Sequence, residues 1–242
     1  MEEKLKNQYL EFMNYIDTYL PDRAESLKAM YESFGKRLIL APASSVDYYH
    51  NAYPGGYIDH VLRVVKLSLN LYDFYESNGM SVDGFTKSSV VFVALNHDLG
   101  KLGFDGEGNE RYLPNDSDWH IKNMGKIYKP NEKIPFSMVQ DLSLFTLQRF
   151  NVPIEWEEFL AIKIHDGLYE ESNKPYYISR TKSSGLRTNL AYIIHTADLM
   201  ASKHERYMWE NKSTVDIPSQ ELSSNLKEEV RREFRELFNN ES

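Results

Sequence analysis

The chain has 242 residues and a formal net charge of −8, with 41% hydrophobic and 26% charged residues. This balance is typical of a folded globular protein, and the absence of cysteine excludes disulfides, thiolate ligands and a cysteine nucleophile. The negative charge makes a long nucleic acid a poor partner, because binding one requires many lysine and arginine contacts to phosphate. The apolar runs are too short to span a membrane, and the polar start resembles neither a signal nor a transit peptide, so we expect a cytoplasmic protein.

Apolar residues recur at helical spacing along most of the chain. The pattern predicts helices at residues 2–20, about 27–34, 57–76, 87–99, near 118–128, 137–150, 155–166 and 186–210. Residues 40–56 and 100–135 carry proline, glycine and asparagine and are expected to be loops, the second with the short helix in it. We predict an all-α fold, a single helical domain with a core at about 40–205. Extra helices lie at its N-terminal side (1–39) and its C-terminal side (219–240).

Histidine and aspartate side chains fall on the apolar faces of four predicted helices. Residues four apart share a helix face, so Asp198 lies in line with Ile194 and near Ala201. A carboxylate on such a face is costly unless it is paired or binds a metal, and few cations lie near Asp198 in the sequence. A divalent cation is the economical explanation, with nitrogen and oxygen donors that suit Zn, Mn, Fe, Co or Ni. The predicted ligands are His60, His97, Asp98, His165 and Asp198.

The order of these residues is similar to the motif order of a known family. His60 lies in the segment YHNAYPGGYIDHVLRV (49–64), His97 and Asp98 are followed by Leu-Gly-Lys, and Asp198 lies in IHTADLMA. The set resembles the HD superfamily of metal-dependent phosphohydrolases. Within that superfamily, the segment 49–64 is similar to the HD domain of bacterial 3′–5′ exoribonucleases and of related phage and bacterial HD hydrolases.

The resemblance implies a helical bundle, an HD domain, around one or two divalent metals (Mn, Fe, Zn, Co, Ni or Mg). The family's ligands match four positions of this chain, which are His60, His97, Asp98 and Asp198. The lysine after the His-Asp pair matches Lys101, and His165 matches a histidine that binds a second metal in two-metal relatives. Those relatives have a further histidine where this chain has Val139 or a neighbour, so the second metal is less firmly predicted than the first.

We therefore expect an enzyme that hydrolyses a phosphate mono- or diester of a small phosphorylated substrate, a nucleotide or similar compound. Asp98 would orient or deprotonate water, Lys101 would offset phosphate charge, and His165 would bind a second metal or act as a general acid. Contacts to the substrate are expected from Lys101 and from three further residues, which are His50, Arg63 and His120. His195 and His204 share the Asp198 helix at other angles and are expected to be structural.

Two other functions stay open at the level of sequence. A 3′–5′ nuclease for short single-stranded oligonucleotides would need a basic rim with aromatic stacking platforms. Residues that could supply this rim are Tyr48, Tyr49, Tyr53, Tyr176, Tyr177, Lys174, Arg180, Lys182 and Arg187. A catalytically degraded HD module that binds a ligand is suggested only by the missing histidine near Val139. The sequence indicates no oligomeric state.

Overall fold

The structure, a computed structural model, describes residues 2–47, 49, 51–179, 181 and 185–211, and these residues are predominantly helical. The helices are α1 (Glu2–Tyr19), α2 (Ala24–Ser33), α3 (Arg37–Leu40), α4 (Gly56–Ser77), α5 (Lys87–Asn96), α6 (Asp118–Met124), α7 (Val139–Arg149), α8 (Trp156–Lys163), α9 (Lys174–Ile178) and α10 (Leu190–Glu210). Short 3-10 turns lie at Pro21–Arg23, Leu99–Leu102, Gly167–Tyr169 and Glu171–Asn173.

The all-α prediction is confirmed, with one small addition. Strands β1 (Tyr112–Pro114) and β2 (Tyr128–Pro130) pair antiparallel within the segment that the sequence predicts as a loop, and α6 lies between them. The helix predicted at 219–240 lies outside the described residues, and the assignment of the chain to a single domain stays a prediction. None of the described helices has both the length and the apolar character that crossing a membrane requires.

Helix α5 is the centre of the packing. All seven residues from Val90 to Asn96 are buried, which is typical of a helix that other elements surround. Helix α4 packs against both α5 and α10, and α8 contacts α5 and α10. Each fully buried aliphatic or aromatic side chain in this core contributes about 1.5–3 kcal/mol relative to exposure. The four helices that carry the predicted ligands are therefore held together by apolar burial.

A buried ion pair joins the N-terminal helices to α8. The guanidinium of Arg23 donates to both carboxylate oxygens of Glu158, at 2.7 and 3.0 Å, and the Glu158 side chain is fully buried. Arg23 also lies 4.3 Å from the ring centre of Phe92 on α5. Glu158 in turn accepts from the backbone N–H of Glu155 and so caps α8. One arginine thus connects the segment before α2, the central helix and the start of α8.

We expect Arg23→Ala to lower the free energy of unfolding by about 3 kcal/mol, because it leaves the Glu158 carboxylate buried without a counter-charge. Urea unfolding at pH 7 measures this loss. Lys28→Ala is the matched control, since the ion pair of Lys28 with Asp17 is largely exposed and contributes less than about 1 kcal/mol. Equal losses in the two variants would contradict a special role for the Arg23–Glu158 pair.

Candidate metal centre

The five predicted ligands come from the ends and middles of packed helices. His60 lies in the second turn of α4, His97 and Asp98 follow the last residue of α5, and His165 follows α8. Asp198 is near the middle of α10. Four of these side chains are buried, and Asp198 is 19% exposed. The structure brings all five together.

The donor atoms of this cluster lie at the separations of ligands around a cation. Nε2 of His60 is 3.2 Å from Oδ1 of Asp198 and 3.5 Å from Oδ2 of Asp98. Nε2 of His97 is 3.4 Å from Oδ2 of Asp98. Two ligands that each bind an ion at about 2.1 Å in a tetrahedron stand roughly 3.4 Å apart. One donor atom from each of His60, His97 and Asp198 also lies within 4.8 Å of the other two.

The tautomers of two histidines favour metal binding. Nδ1 of His97 is 2.8 Å from the carbonyl oxygen of Ala94, and Nδ1 of His165 is 2.8 Å from that of Ile162. A carbonyl oxygen only accepts, so Nδ1 carries the proton and Nε2 of the neutral ring presents its lone pair to the cluster. Nε2 of His97 is buried without a hydrogen-bond partner among the described residues. A buried nitrogen in this state fits a metal ligand.

Glu205, which is not among the residues predicted from the sequence, contacts the ring of His60. Its carboxylate oxygens lie 3.1 and 3.3 Å from Nδ1 of His60, and it also accepts from Nε of Arg63 at 2.9 Å. Glu205 is 4% exposed and lies seven residues after Asp198 on α10. It therefore continues the same helix face, and this spacing was the signal that could have found it. A carboxylate behind a ligating imidazole fixes its ring and raises its basicity.

The charges of the cluster hold protons in the metal-free protein. Burial opposes protonation of His60, but the negative charge of Glu205 and the hydrogen bonds to Asp198 and Glu205 outweigh it and raise its pKa to about 10. Burial likewise opposes protonation of His165, yet its hydrogen bond to Asp98 and the charge of Asp166 raise its pKa to about 9. Burial tends to raise the pKa of Asp98, but nearby Lys101 and His97 hold it well below its usual range. A metal would therefore compete with protons for this site.

A second set of donors lies beside the first. Oδ1 of Asp98 is 3.7 Å from Nε2 of His165, whereas its Oδ2 faces His60 and His97. One donor from each of His165, Asp166 and Asp198 also lies within 4.8 Å of the others. Only His165 was predicted from the sequence as a histidine for a second metal. Asp166 adds a carboxylate beside it. The two oxygens of Asp98 point toward different halves of the cluster.

A cavity of about 500 Å³ opens beside the cluster. Asp98, His165 and Asp198 line it, together with Lys101, whose Nζ lies 2.6 Å from Oδ2 of Asp98. Val139 also lines it. This valine lies at or next to the position where a further histidine was expected from the resemblance to two-metal relatives. A volume of this size suits a small organic ligand. Lys101 therefore lies between the predicted metal ligands and an open space, and its contact with a phosphate stays a prediction.

Two other predicted substrate contacts, Arg63 and His120, are not among the described residues that line the cavity. Arg63 lies one turn after His60 and pairs with Glu205 and Asp59, so its charge neutralises a carboxylate behind the cluster. His120 is exposed, with Nδ1 2.8 Å from Oγ of Ser117. His50 lies outside the described residues.

The remaining candidates lie at the cavity, at the surface or in contacts within the fold. Nδ1 of His195 donates to the backbone oxygen of His165 at 2.8 Å and this histidine also lines the cavity, whereas His204 is exposed. Of the rim proposed for a nuclease, Tyr49 lines the cavity, while the hydroxyl of Tyr53 donates to Asp59. Residues of that rim outside the described part of the chain are Tyr48, Arg180 and Lys182.

Comparison of the chain with protein-family models, with curated proteins and with solved structures gave no match. The established result is thus a helical protein with a buried cluster of histidine and aspartate that could hold a metal ion.

We expect a divalent metal such as Mn²⁺ or Zn²⁺ to bind more tightly as pH rises from 6 toward 9. The raised pKa values mean that His60 and His165 carry an extra proton at neutral pH, and a metal needs the neutral imidazole. Binding must therefore release protons. Calorimetry in buffers of different ionisation enthalpy measures that release. His97→Ala should abolish binding, His120→Ala should not, and affinity independent of pH would contradict the prediction.

We expect Glu205→Gln to weaken metal affinity by about 10–100-fold, because the neutral amide polarises the His60 ring less than the carboxylate does. Competition with a chromophoric chelator measures the affinity. Glu210→Gln is the matched control, since Glu210 lies on the same helix but pairs with Arg206 at the surface. Circular dichroism checks that each variant keeps its helices. An unchanged affinity in a folded Glu205→Gln variant would show that this carboxylate does not support the metal site.

Proposed function

We propose that this protein is a divalent-metal-dependent phosphohydrolase of the HD type, which cleaves a phosphate mono- or diester of a small, nucleotide-like molecule. The observation that carries the proposal is the convergence of His60, His97, Asp98 and Asp198, in the order of the HD motif, with a lysine at the cavity beside them. A purely structural cluster would not require a cavity next to its carboxylates or a buried imidazole nitrogen without a hydrogen bond.

The residues present fit a divalent metal, which His60, His97, Asp98 and Asp198 would hold. When bound, such a metal lowers the pKa of a coordinated water toward neutrality and polarises a phosphoryl oxygen. Asp98, whose pKa is held low, stays ionised and can accept a hydrogen bond from the attacking water. Lys101 stays protonated, because its pKa is raised by Asp98, and it can donate to a phosphoryl oxygen in the cavity.

His165 is placed to serve the leaving group or a second cation. Its Nδ1 is fixed on the Ile162 carbonyl, so Nε2 faces both Asp98 and the cavity. With a proton on Nε2, the ring can protonate a leaving oxygen. With a second cation in the cluster, His165, Asp166 and Asp198 would supply its donors. We propose one resident metal and treat the second as an additional capacity of the same cluster.

The cavity favours a small substrate over a long nucleic acid. The negative charge of the chain opposes a long polyanion, whereas a cavity of about 500 Å³ accommodates a nucleotide-sized molecule. The degraded-module alternative lacks support from the cluster, because the acid, lysine and imidazole groups that hydrolysis requires all line the cavity.

We expect the Mn²⁺-loaded protein to hydrolyse a generic ester such as p-nitrophenyl phosphate or bis-p-nitrophenyl phosphate, and chelation to stop the reaction. Asp98→Ala should lower kcat at least about 100-fold, because it removes both a ligand and the group that orients water. Steady-state release of nitrophenolate measures this. His120→Ala is the control and should keep its turnover. A metal-loaded wild type that is inactive on nucleotides, cyclic nucleotides and short oligonucleotides would overturn the proposal.

A further inference from the structure

Side chains of both charges line the cavity. Its carboxylates are those of Asp98, Asp166 and Asp198, and its four cations among the described residues are Lys101, Arg111, Lys203 and Arg206. Lys203 and Arg206 are exposed side chains of α10. Because the chain as a whole carries a net charge of −8, a concentration of cations around one cavity is a local feature that attracts an anion.

Two of these cations are more available than the others. Lys101 is held by Asp98 at 2.6 Å, and Arg111 donates to the backbone oxygen of Ser137 at 2.9 Å. Lys203 has no ion pair among the described residues. Arg206 uses its Nε to contact Glu210, but a guanidinium has five N–H donors. Lys203 and Arg206 can therefore contact a ligand without giving up the contacts that hold the cluster.

Helix α10 sets the distance between these cations and the cluster. A helix rises about 1.5 Å per residue, so Lys203 lies about 7.5 Å and Arg206 about 12 Å beyond Asp198 along the axis. Ser202 lies between them and donates to Oδ1 of Asp198 at 3.3 Å. The backbone positions of both cations are thus separated from that of Asp198 by more than the width of one phosphate group. A molecule that carries two phosphates on one nucleoside can occupy both places.

Exposed aromatic rings complete the cavity. Phe136 is 90% exposed, Tyr169 is 77% exposed and Tyr49 is 51% exposed, and all three line it. Large apolar rings are costly to leave in water at the mouth of a cavity, and they offer a flat surface on which a nucleobase can stack irrespective of its identity. The cavity is therefore lined by a candidate cation site, by aromatic rings on which a base can stack, and by the positive charges of Lys203 and Arg206.

We propose that Lys203 and Arg206 form a second anion subsite, and that the substrate is a nucleotide with at least two phosphate groups. One phosphate lies at the cluster of His60, Asp98 and Asp198, and the other contacts α10. The inference rests on the proposed function, which it makes more specific. A nucleoside bisphosphate and the end of a short oligonucleotide share this chemistry.

The test compares substrates that differ by one phosphate. The Mn²⁺-loaded wild type should have a kcat/KM for adenosine 3′,5′-bisphosphate at least about tenfold above that for 3′-AMP or 5′-AMP. In the Lys203→Gln/Arg206→Gln variant this ratio should fall to about one. Lys66→Gln removes a charge from the surface of α4 and should keep the wild-type ratio. A 5′-phosphorylated diadenylate in parallel distinguishes an oligonucleotide end from a bisphosphate.

Equilibrium binding separates failure of the subsite from failure of the function. Calorimetry with the Mn²⁺-loaded protein and non-hydrolysable phosphonate analogues should show that the bisphosphate analogue binds about tenfold more tightly than either monophosphate analogue, and that the double variant loses this preference. If no ester is hydrolysed but the preference persists, the proposed function is wrong and the subsite stands. If esters are hydrolysed but wild type and double variant show the same ratio and the same affinities, the subsite is wrong and the hydrolase stands.

Discussion

The structure depends on the neutralisation of carboxylates inside an apolar helical bundle. Asp98 and Glu205 are almost completely buried, and a buried carboxylate without a partner destabilises a fold strongly. In the metal-free protein the compensation comes from Lys101, Arg63 and the protons that raised pKa values keep on His60 and His165. A divalent cation would supply the same positive charge in one place. These cations and protons thus offset the carboxylates without a metal, and a bound metal would replace the protons.

The residues that surround the cluster also pack in the core, and this packing fixes the positions of the cluster's side chains. Gly100 has no side chain, and a Cβ there would lie 2.2 Å from the backbone oxygen of Val139. This close approach brings α7 against the turn after α5, where Oγ of Ser143 accepts from the N–H of Gly100 and donates to the backbone oxygen of His97. The Leu-Gly-Lys sequence therefore has a packing role at glycine, and the proposed function gives it a chemical role at lysine.

Helical periodicity was enough to predict the longer helices and to place His60, His97 and Asp198 on apolar faces, because side chains on one helix face recur at a fixed spacing. The short helices α3 and α9 lie outside the predicted ranges. Glu205 shared the same signal but was not found, since its partners His60 and Arg63 lie on another helix and long-range pairing leaves no local pattern. For the same reason, nothing in the sequence indicated that Arg63 pairs with Glu205. The β1–β2 hairpin was missed because strands of three residues are too short to show alternation.

An acidic chain can attract an anionic substrate where its cations are concentrated locally. In this cavity, the carboxylates and imidazoles of the cluster form a site that could hold a cation, and the exposed side chains of Lys203 and Arg206 form the proposed anion subsite. Bound metal would change the cluster from negative toward positive, so that both regions would attract the same ligand. The metal would then add affinity as well as chemistry, and phosphate binding at the cluster should weaken when the metal is removed.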